Sequence, residues 1–346
     1  MVSKQRNDGL SILIYGEPYE WAMAANLIQS FRELGHNAEL FDYTQLMYKT
    51  KKFSLMNRVL DRLMFYQVSK SINTKLVDRI NHTKYDILLV LKGIHLFSET
   101  IATAKNKVEY VVNWNPDDFF NPLNNSRFLL NSLKFYDCIF TARSHLINEY
   151  HHQGIKRAEL LDWYYLPKYQ HPVQVSENDR RKFGSDIVFV GTWSQRREKY
   201  ISQLHGMNIK VWGGGWSRSG SKFRSQIECL PPIFSDDMCK VVCSSKININ
   251  ILTIENRDSS NLRNFEVPAC NGFQLTERSD RILELFEEER EIACFSNPEE
   301  LAFKCNYFLE HQSERERIRE KGFERVIRGQ HTILDRAKQI ISTLYD

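Results

Sequence analysis

No run of about 18 apolar residues, the length that spans a bilayer, occurs in the 346-residue sequence, so the chain does not read as a membrane-spanning protein. Neither sign of charge dominates. The 47 basic and 43 acidic residues leave a formal net charge of +4, far short of the basic excess of a general nucleic-acid binder, and no nucleic-acid partner is expected. Cysteine is scarce and unpatterned. The seven cysteines, at 138, 229, 239, 243, 270, 294 and 305, are odd in number, and only Cys239 and Cys243 lie close together. No matching His or Cys pair completes a zinc site, so buried free thiols in a reducing cytoplasm are expected, and no bound metal. The N-terminal MVSKQRNDGLSILIYGE has too short an apolar run for a signal peptide and reads as the approach to a first strand.

What is present is a folded, two-domain composition. Apolar residues make up 42% and aromatic residues 12%, and the length exceeds what one ordinary core organises. The runs LSILIYG (10–16), NAELFDY, YDILLVLKG (85–93), VEYVVNWN (108–115) and YDCIFTA (136–142) alternate with helical patterns. The helical patterns include EWAMAANLIQSFRELGH, HLFSETIATAKN and SRFLLNSLKF. Continuous apolar strands between helices imply a parallel sheet covered on both faces, hence a Rossmann-like α/β domain over 1–168. Residues 169–185 are polar, aperiodic and read as a linker. The same grammar restarts with DIVFVGT, NIKVWGG, ININIL, FQLTE and REIACFS, which predicts a second Rossmann-like domain over 186–330. A long charged helix over roughly 312–344 is expected to close the chain, its end (331–346) packing back on the first domain. Two such domains facing each other across a cleft place ligands at the carboxyl ends of their strands.

Several residues at those strand ends carry chemistry. In FVGTWSQRREKY, a strand turns through Gly191 and Thr192 into a helix whose start suits a phosphate. Arg196 and Arg197 in its first turn oppose the helix dipole. They are either solvated or compensated by an anion. The glycines of VWGGGW, with Gly215 and Trp216, either let backbone approach a ligand or make a tight turn. In NLRNFEVPACNGFQLTE, Arg263 and Glu266 are isolated charges, and with Asn264 and Phe265 between them they are candidate donor-binding residues. They form a local ion pair, or Arg263 offers its fork to a diphosphate and Glu266 accepts two ribose hydroxyls. Asp258 precedes Glu266 with seven residues between them. In the first domain, Asp117 and Asp118 of NWNPDDFFNP either orient or deprotonate acceptor hydroxyls or close an Asx turn. Glu17, Tyr19 and Trp21 follow the first strand, where rings can stack on a sugar, and Arg143 and His145 of TARSH are further acceptor candidates.

The combined pattern FVG, RRE, VWGGGW, ININ, NLRNFEVPACNGFQLTE and SNPEELAFKCNYFLEH, with YDILLVLKG and VVNWNPDDFF before it, resembles the CgeB-like, spore-maturation-type glycosyltransferases of the family 1/4 group. The resemblance covers most of the chain. It implies a GT-B fold and transfer of a sugar from a nucleotide-diphosphate donor to a glycan or glycoconjugate, retaining and independent of metal or cofactor. It maps the ribose-holding acid of an E-x7-E pair onto Glu266 and the first acid onto Asp258, where this chain departs from Glu. Arg263 and the basic pair would then neutralise the leaving diphosphate. A nucleotide-sugar epimerase of the same build and a non-catalytic sugar- or coat-binding protein are the rival readings. Eight basic residues between Lys49 and Arg79, with two acids and interleaved apolar residues, mark either an amphipathic face for an anionic inner membrane and a lipid-linked acceptor, or an ordinary solvated face.

Overall fold

Each half of the chain builds its own six-stranded, all-parallel sheet in the computed structural model, which describes residues 9–47, 55–122, 124–256 and 258–345. The first sheet contains β1 (Ser11–Gly16), β2 (Asn37–Asp42), β3 (Ile87–Leu91), β4 (Tyr110–Asn115), β5 (Cys138–Thr141) and β6 (Ala158–Leu160), in the order β2-β1-β3-β4-β5-β6. The second contains β7 (Ile187–Val190), β8 (Ile209–Trp212), β9 (Glu228–Leu230), β10 (Ile247–Asn250), β11 (Gln274–Glu277) and β12 (Ala293–Phe295), in the order β12-β11-β10-β7-β8-β9. Both orders reverse direction once, between β1 and β3 and between β7 and β10. The central strands are almost entirely buried because helices cover both faces, and where polar residues interrupt them, as Asn248 and Asn250 do in β10, their amide N–H groups donate within the core. All five residues of β3 are buried.

The chain divides at Asp162/Trp163, and the first unit takes back the final helix, Ile333–Tyr345. That helix lies against the first sheet's neighbours: Gln339 donates to the Leu160 carbonyl at 3.1 Å, and Tyr345 meets Tyr110 edge-on at 5.2 Å. The single closing helix expected over 312–344 is in fact two, Gln312–Arg328 and Ile333–Tyr345. The break follows Gly329, and Tyr165 donates to the His331 carbonyl at 3.0 Å between them. The stretch read as a linker also contains a helix, Glu177–Phe183. A Ser176–Asp179 capping box starts it, and Phe183 at its end is buried 6.0 Å from Trp212. The unforeseen strands β6 and β9 are three residues each and sit at sheet edges, where one ladder of backbone bonds suffices without an apolar run.

Of the basic segment, Lys49, Lys51 and Lys52 lie outside the described residues, and Arg58 and Arg62 fall in the helix Leu55–His82. Farther along, Val68, Ile72, Leu76 and Ile80 repeat every four residues and are buried in the first core. Lys70 and Lys75 are exposed, and Arg79 pairs with Glu39.

Candidate active site

In open parallel sheets, ligands bind beyond the strands' carboxyl ends where the strand order reverses, because the connections diverge there and leave a crevice. In the second unit that point lies between the ends of β7 and β10. Val190 leads into Gly191 and Thr192, and Asn250 leads into Ile251 and Leu252. Several of the charges picked out in the sequence converge on these two strand ends.

Arg197 joins them. Its Nη1 donates to the Thr192 carbonyl at 2.9 Å and to Thr192 Oγ1 at 3.2 Å, and its Nε donates to the Ile251 carbonyl at 3.1 Å. The side chain is buried, and its pKa is pushed down to about 10 by that burial and then by Arg263 and Arg196 nearby. Arg196 is held by Glu277, the last residue of β11. Both carboxylate oxygens accept from its guanidinium, one at 2.9 Å. Arg196 also donates to the Leu252 carbonyl at 2.9 Å and to Tyr200 Oη at 3.0 Å, while the Leu252 amide donates to Glu277 at 3.1 Å. Neither arginine is therefore simply solvated. Together they fix the crevice walls, with the Arg196 charge answered by Glu277 and the Arg197 guanidinium held by carbonyl and hydroxyl oxygens. Ser194 caps the helix Gln195–Ile201 by accepting from the Arg197 amide at 3.2 Å.

Arg263 lies more exposed than Arg197 and reaches the same strand end, donating from Nε to the Val190 carbonyl at 3.2 Å. Its Nη1 makes an ion pair with Glu266, one turn on in the helix Arg263–Ala269. The local pair weighed from the sequence is thus present. The same geometry sets a guanidinium and a carboxylate side by side at the switch point. Asp258 is exposed on the loop entering this helix.

The glycines of VWGGGW act on their own loops. A Cβ on Gly213 would lie 1.9 Å from the Gly191 carbonyl oxygen, so glycine there lets two loops touch. Trp193 donates to the Gly214 carbonyl at 2.8 Å, and Gly215, with φ 84°, starts the turn Trp216–Arg218. Three residues expected at the donor belong to the packed interior instead. Trp216 is 3% exposed, donates its indole N–H to the Gly191 carbonyl at 2.9 Å and stacks on Phe223. Phe265 is buried between Phe286 and His331. Asn264 is buried, its amide committed to Gln274 at 3.2 Å and Thr276 at 3.1 Å. Each shapes the site from behind.

In the first unit the corresponding point, at the ends of β1 and β3, is a cavity of about 120 Å³. Glu17, Tyr43, Lys92 and Pro116 are among its walls. Lys92 Nζ pairs with Asp117 at 2.7 Å, and Tyr43 Oη donates to Glu17 at 2.9 Å. Burial, then the Glu17 charge, raises the Tyr43 pKa, so it stays a neutral donor. Asp118 closes an Asx turn, accepting from the Phe120 amide at 2.8 Å, and Asp117's own amide donates to Asn115 Oδ1 at 2.9 Å. The acidic pair is therefore split between a turn and a lysine. Tyr19 and Trp21 stack at 5.6 Å with 47% and 67% of their surfaces exposed, an open aromatic shelf beside the cavity-lining Glu17 and Ala22. Arg143 is buried and donates to the Pro116 carbonyl, so it supports the Asp117 loop from below, whereas His145 is exposed. Glu277, Lys92 and Tyr43 were not singled out in the sequence. The one signal was an acid ending the buried strand FQLTE.

Solved structures of the same architecture decide the fold. The Anabaena protein HepE, solved with UDP-glucose, superposes with a TM-score of 0.65 at 12% identity, over 97% of this chain and 99% of its own. The chain has the GT-B fold. A Rickettsia africae glycosyltransferase shares this GT-B fold at 13% identity and a TM-score of 0.64, covering 98% of each chain. So does a Listeria monocytogenes protein described as a UDP-N-acetylglucosamine 2-epimerase, at 11% identity and 0.60, over 97% and 96%. Residues 196–342 match the model of a family described as glycosyl transferase-like. No curated protein matches the sequence. Among the described residues, no group of three or more His, Cys, Asp or Glu side chains is placed to hold a metal ion.

Proposed function

We propose that this GT-B protein is a nucleotide-sugar-dependent glycosyltransferase of the spore-maturation-type branch, acting in glycan or glycoconjugate assembly, retaining and metal-independent. The observation that carries the proposal is the placement of Arg263 and Glu266 together at the β7/β10 switch point, backed by Arg196 and Arg197. A nucleoside diphosphate presents the matching groups, a diphosphate and a vicinal ribose diol. Binding exchanges partners: Arg263 leaves Glu266 for the diphosphate, and Glu266 takes the two hydroxyls. As the anomeric C–O bond breaks, its electron pair moves onto the diphosphate, where fixed guanidinium charge stabilises it most. The acceptor hydroxyl forms the new bond to the anomeric carbon and passes its proton to the departing diphosphate oxygen. The first unit receives that acceptor on the Tyr19–Trp21 shelf, with Glu17, Lys92 and Asp117 orienting hydroxyls.

A panel of nucleoside diphosphates and nucleotide-sugars in a thermal-shift screen tests the donor, since a ligand at 100 times its Kd stabilises by about 2.7 kcal/mol. Nucleoside diphosphate release that depends on acceptor and persists in chelator is then expected. Epimerised free sugar-nucleotide would favour the epimerase, whose fold the chain shares. Binding without turnover across acceptor arrays would leave a non-catalytic binding protein.

We further propose a lipid-linked acceptor approached from an anionic bilayer. The support is the basic segment between Lys49 and Arg79, whose Lys70 and Lys75 are exposed and whose exposed Tyr66 meets the rings of Phe97 and Phe128. Among the described residues no helix is long and apolar enough to cross a membrane. Anionic vesicles should bind the protein at low salt and release it at high salt. Indifference to such vesicles at low salt returns the acceptor to a soluble glycan.

A further inference from the structure

Behind the Arg263–Glu266 turn lies a cluster of thiols that the proposed chemistry does not use. Cys270 caps the C-terminus of the helix Arg263–Ala269, and its amide donates to the Glu266 carbonyl at 3.1 Å. Its Sγ lies 3.6 Å from Sγ of Cys239, on the helix Ser235–Ser244. Cys239 in turn donates its thiol to the Tyr169 carbonyl at 2.9 Å. One turn later, the half-buried Cys243 donates to the Cys270 carbonyl at 3.2 Å. Cys239 and Cys270 are both fully buried among Val188, Trp212, Met238 and Val267.

We propose that Cys239 and Cys270 are a redox modification site, closing to a disulfide under a hydroperoxide and so tethering the turn that carries Glu266 to the neighbouring helix. The two sulfurs are in hydrogen-bond contact at 3.6 Å, and reaching the bonded separation of about 2.05 Å needs a movement of about 1.5 Å. The two thiols are also polarised unequally. The hydrogen bond from Cys270 lowers the Cys239 pKa against the effect of burial, and the same contact raises that of Cys270. Cys239 is therefore the attacking thiolate. It displaces alcohol or water from the peroxide O–O bond and becomes a sulfenic acid. Cys270 then attacks that sulfur, hydroxide leaves and takes up the thiol proton as water. The sum is two thiols and one hydroperoxide giving one disulfide, one alcohol and one water. The two electrons come from the thiols. Because both sulfurs are buried, the reaction waits on local opening and is slow relative to exposed thiols. Pulling Cys270 toward Cys239 shifts the turn bearing Glu266. If that turn grips the donor as proposed above, oxidation lowers turnover on the order of 10²-fold, the cost of a displacement of about 1 Å at a positioned group. Only this consequence rests on the donor-site reading. The bond itself does not.

The test uses the wild-type protein treated with hydrogen peroxide, followed by alkylation of the remaining thiols, digestion and mass spectrometry. A linked peptide pair containing Cys239 and Cys270, reversed by dithiothreitol, is expected in the wild type and in Cys243→Ser. It should be missing in Cys239→Ala and Cys270→Ala. Circular dichroism of the treated wild type confirms that the pair forms in folded protein. A link through Cys243 instead, or free Cys239 and Cys270 after Cys229 and Cys243 have been oxidised, overturns the proposal. If the link forms while acceptor-dependent turnover stays unchanged, the modification site stands and the coupling to Glu266 is lost.

Discussion

Replacing Glu266 with Gln separates its two proposed roles by giving opposite signs with two ligands. In the free protein the Glu266 carboxylate occupies Arg263, so it competes with any anion for that guanidinium. The pair is partly exposed, with 27% of the Arg263 and 11% of the Glu266 side chain open to solvent. Releasing it is therefore worth about 1 kcal/mol or less. Inorganic pyrophosphate, which has no ribose, should bind Glu266→Gln up to about fivefold more tightly, since about 1.4 kcal/mol is tenfold. A nucleoside diphosphate gains the same release but loses charged hydrogen bonds to its hydroxyls, worth about 1.5–3 kcal/mol. Its affinity should fall by a net factor between a few and about a hundred. Isothermal titration of both ligands against both proteins at fixed salt reads the difference directly. Gln keeps the volume and one acceptor, so the helix survives. If both ligands weaken alike, Glu266 merely supports Arg263, and the exchange of partners is wrong.

Other outcomes follow from the same contacts. Arg263→Ala should lower kcat more than it raises KM, because diphosphate charge grows as the bond breaks, and a change confined to KM would contradict this. Glu277→Ala strands the partly buried Arg196 guanidinium and the Leu252 amide; it should cost about 3 kcal/mol in urea unfolding, and an unchanged midpoint would show that solvent screens the pair. His95 is buried against Ser69 Oγ at 3.0 Å, and burial lowers its pKa to about 4. The unfolded chain, with its histidine near 6.5, binds the proton first as pH falls. Stability should therefore decline from about pH 6.5 to about pH 4, by on the order of 3 kcal/mol in total. His95→Gln should flatten that part of the unfolding profile, and a profile that keeps its slope would place the titration elsewhere.

The alternation of apolar strands with amphipathic helices was enough, by itself, to determine the parallel-sheet architecture and its repetition, because strands covered on both faces are apolar along most of their length. ILLVL is legible for that reason, whereas ININ alternates, and its buried Asn248 and Asn250 are answered by partners that only the tertiary structure supplies. The isolation of Arg263 and Glu266 within a small, apolar segment was legible too. A buried helix carries a charge only when something answers it. What answers it was not legible. The sequence could not tell that Glu277, fourteen residues after Arg263, serves Arg196 instead, since which strand ends adjoin depends on the β12-β11-β10-β7 order. Nor could local pattern separate Trp216, Asn264 and Phe265 from a ligand's neighbours. Residues facing a crevice and residues bracing it from behind alternate along the same short turns. Burial, which distinguishes them, is set by the distant strands and helices that pack against them. The break after Gly329, which divides the expected closing helix in two, was likewise decided in three dimensions. Between the two helices the Tyr165 amide donates to the His331 carbonyl, a contact between residues too far apart in sequence for local periodicity to foresee.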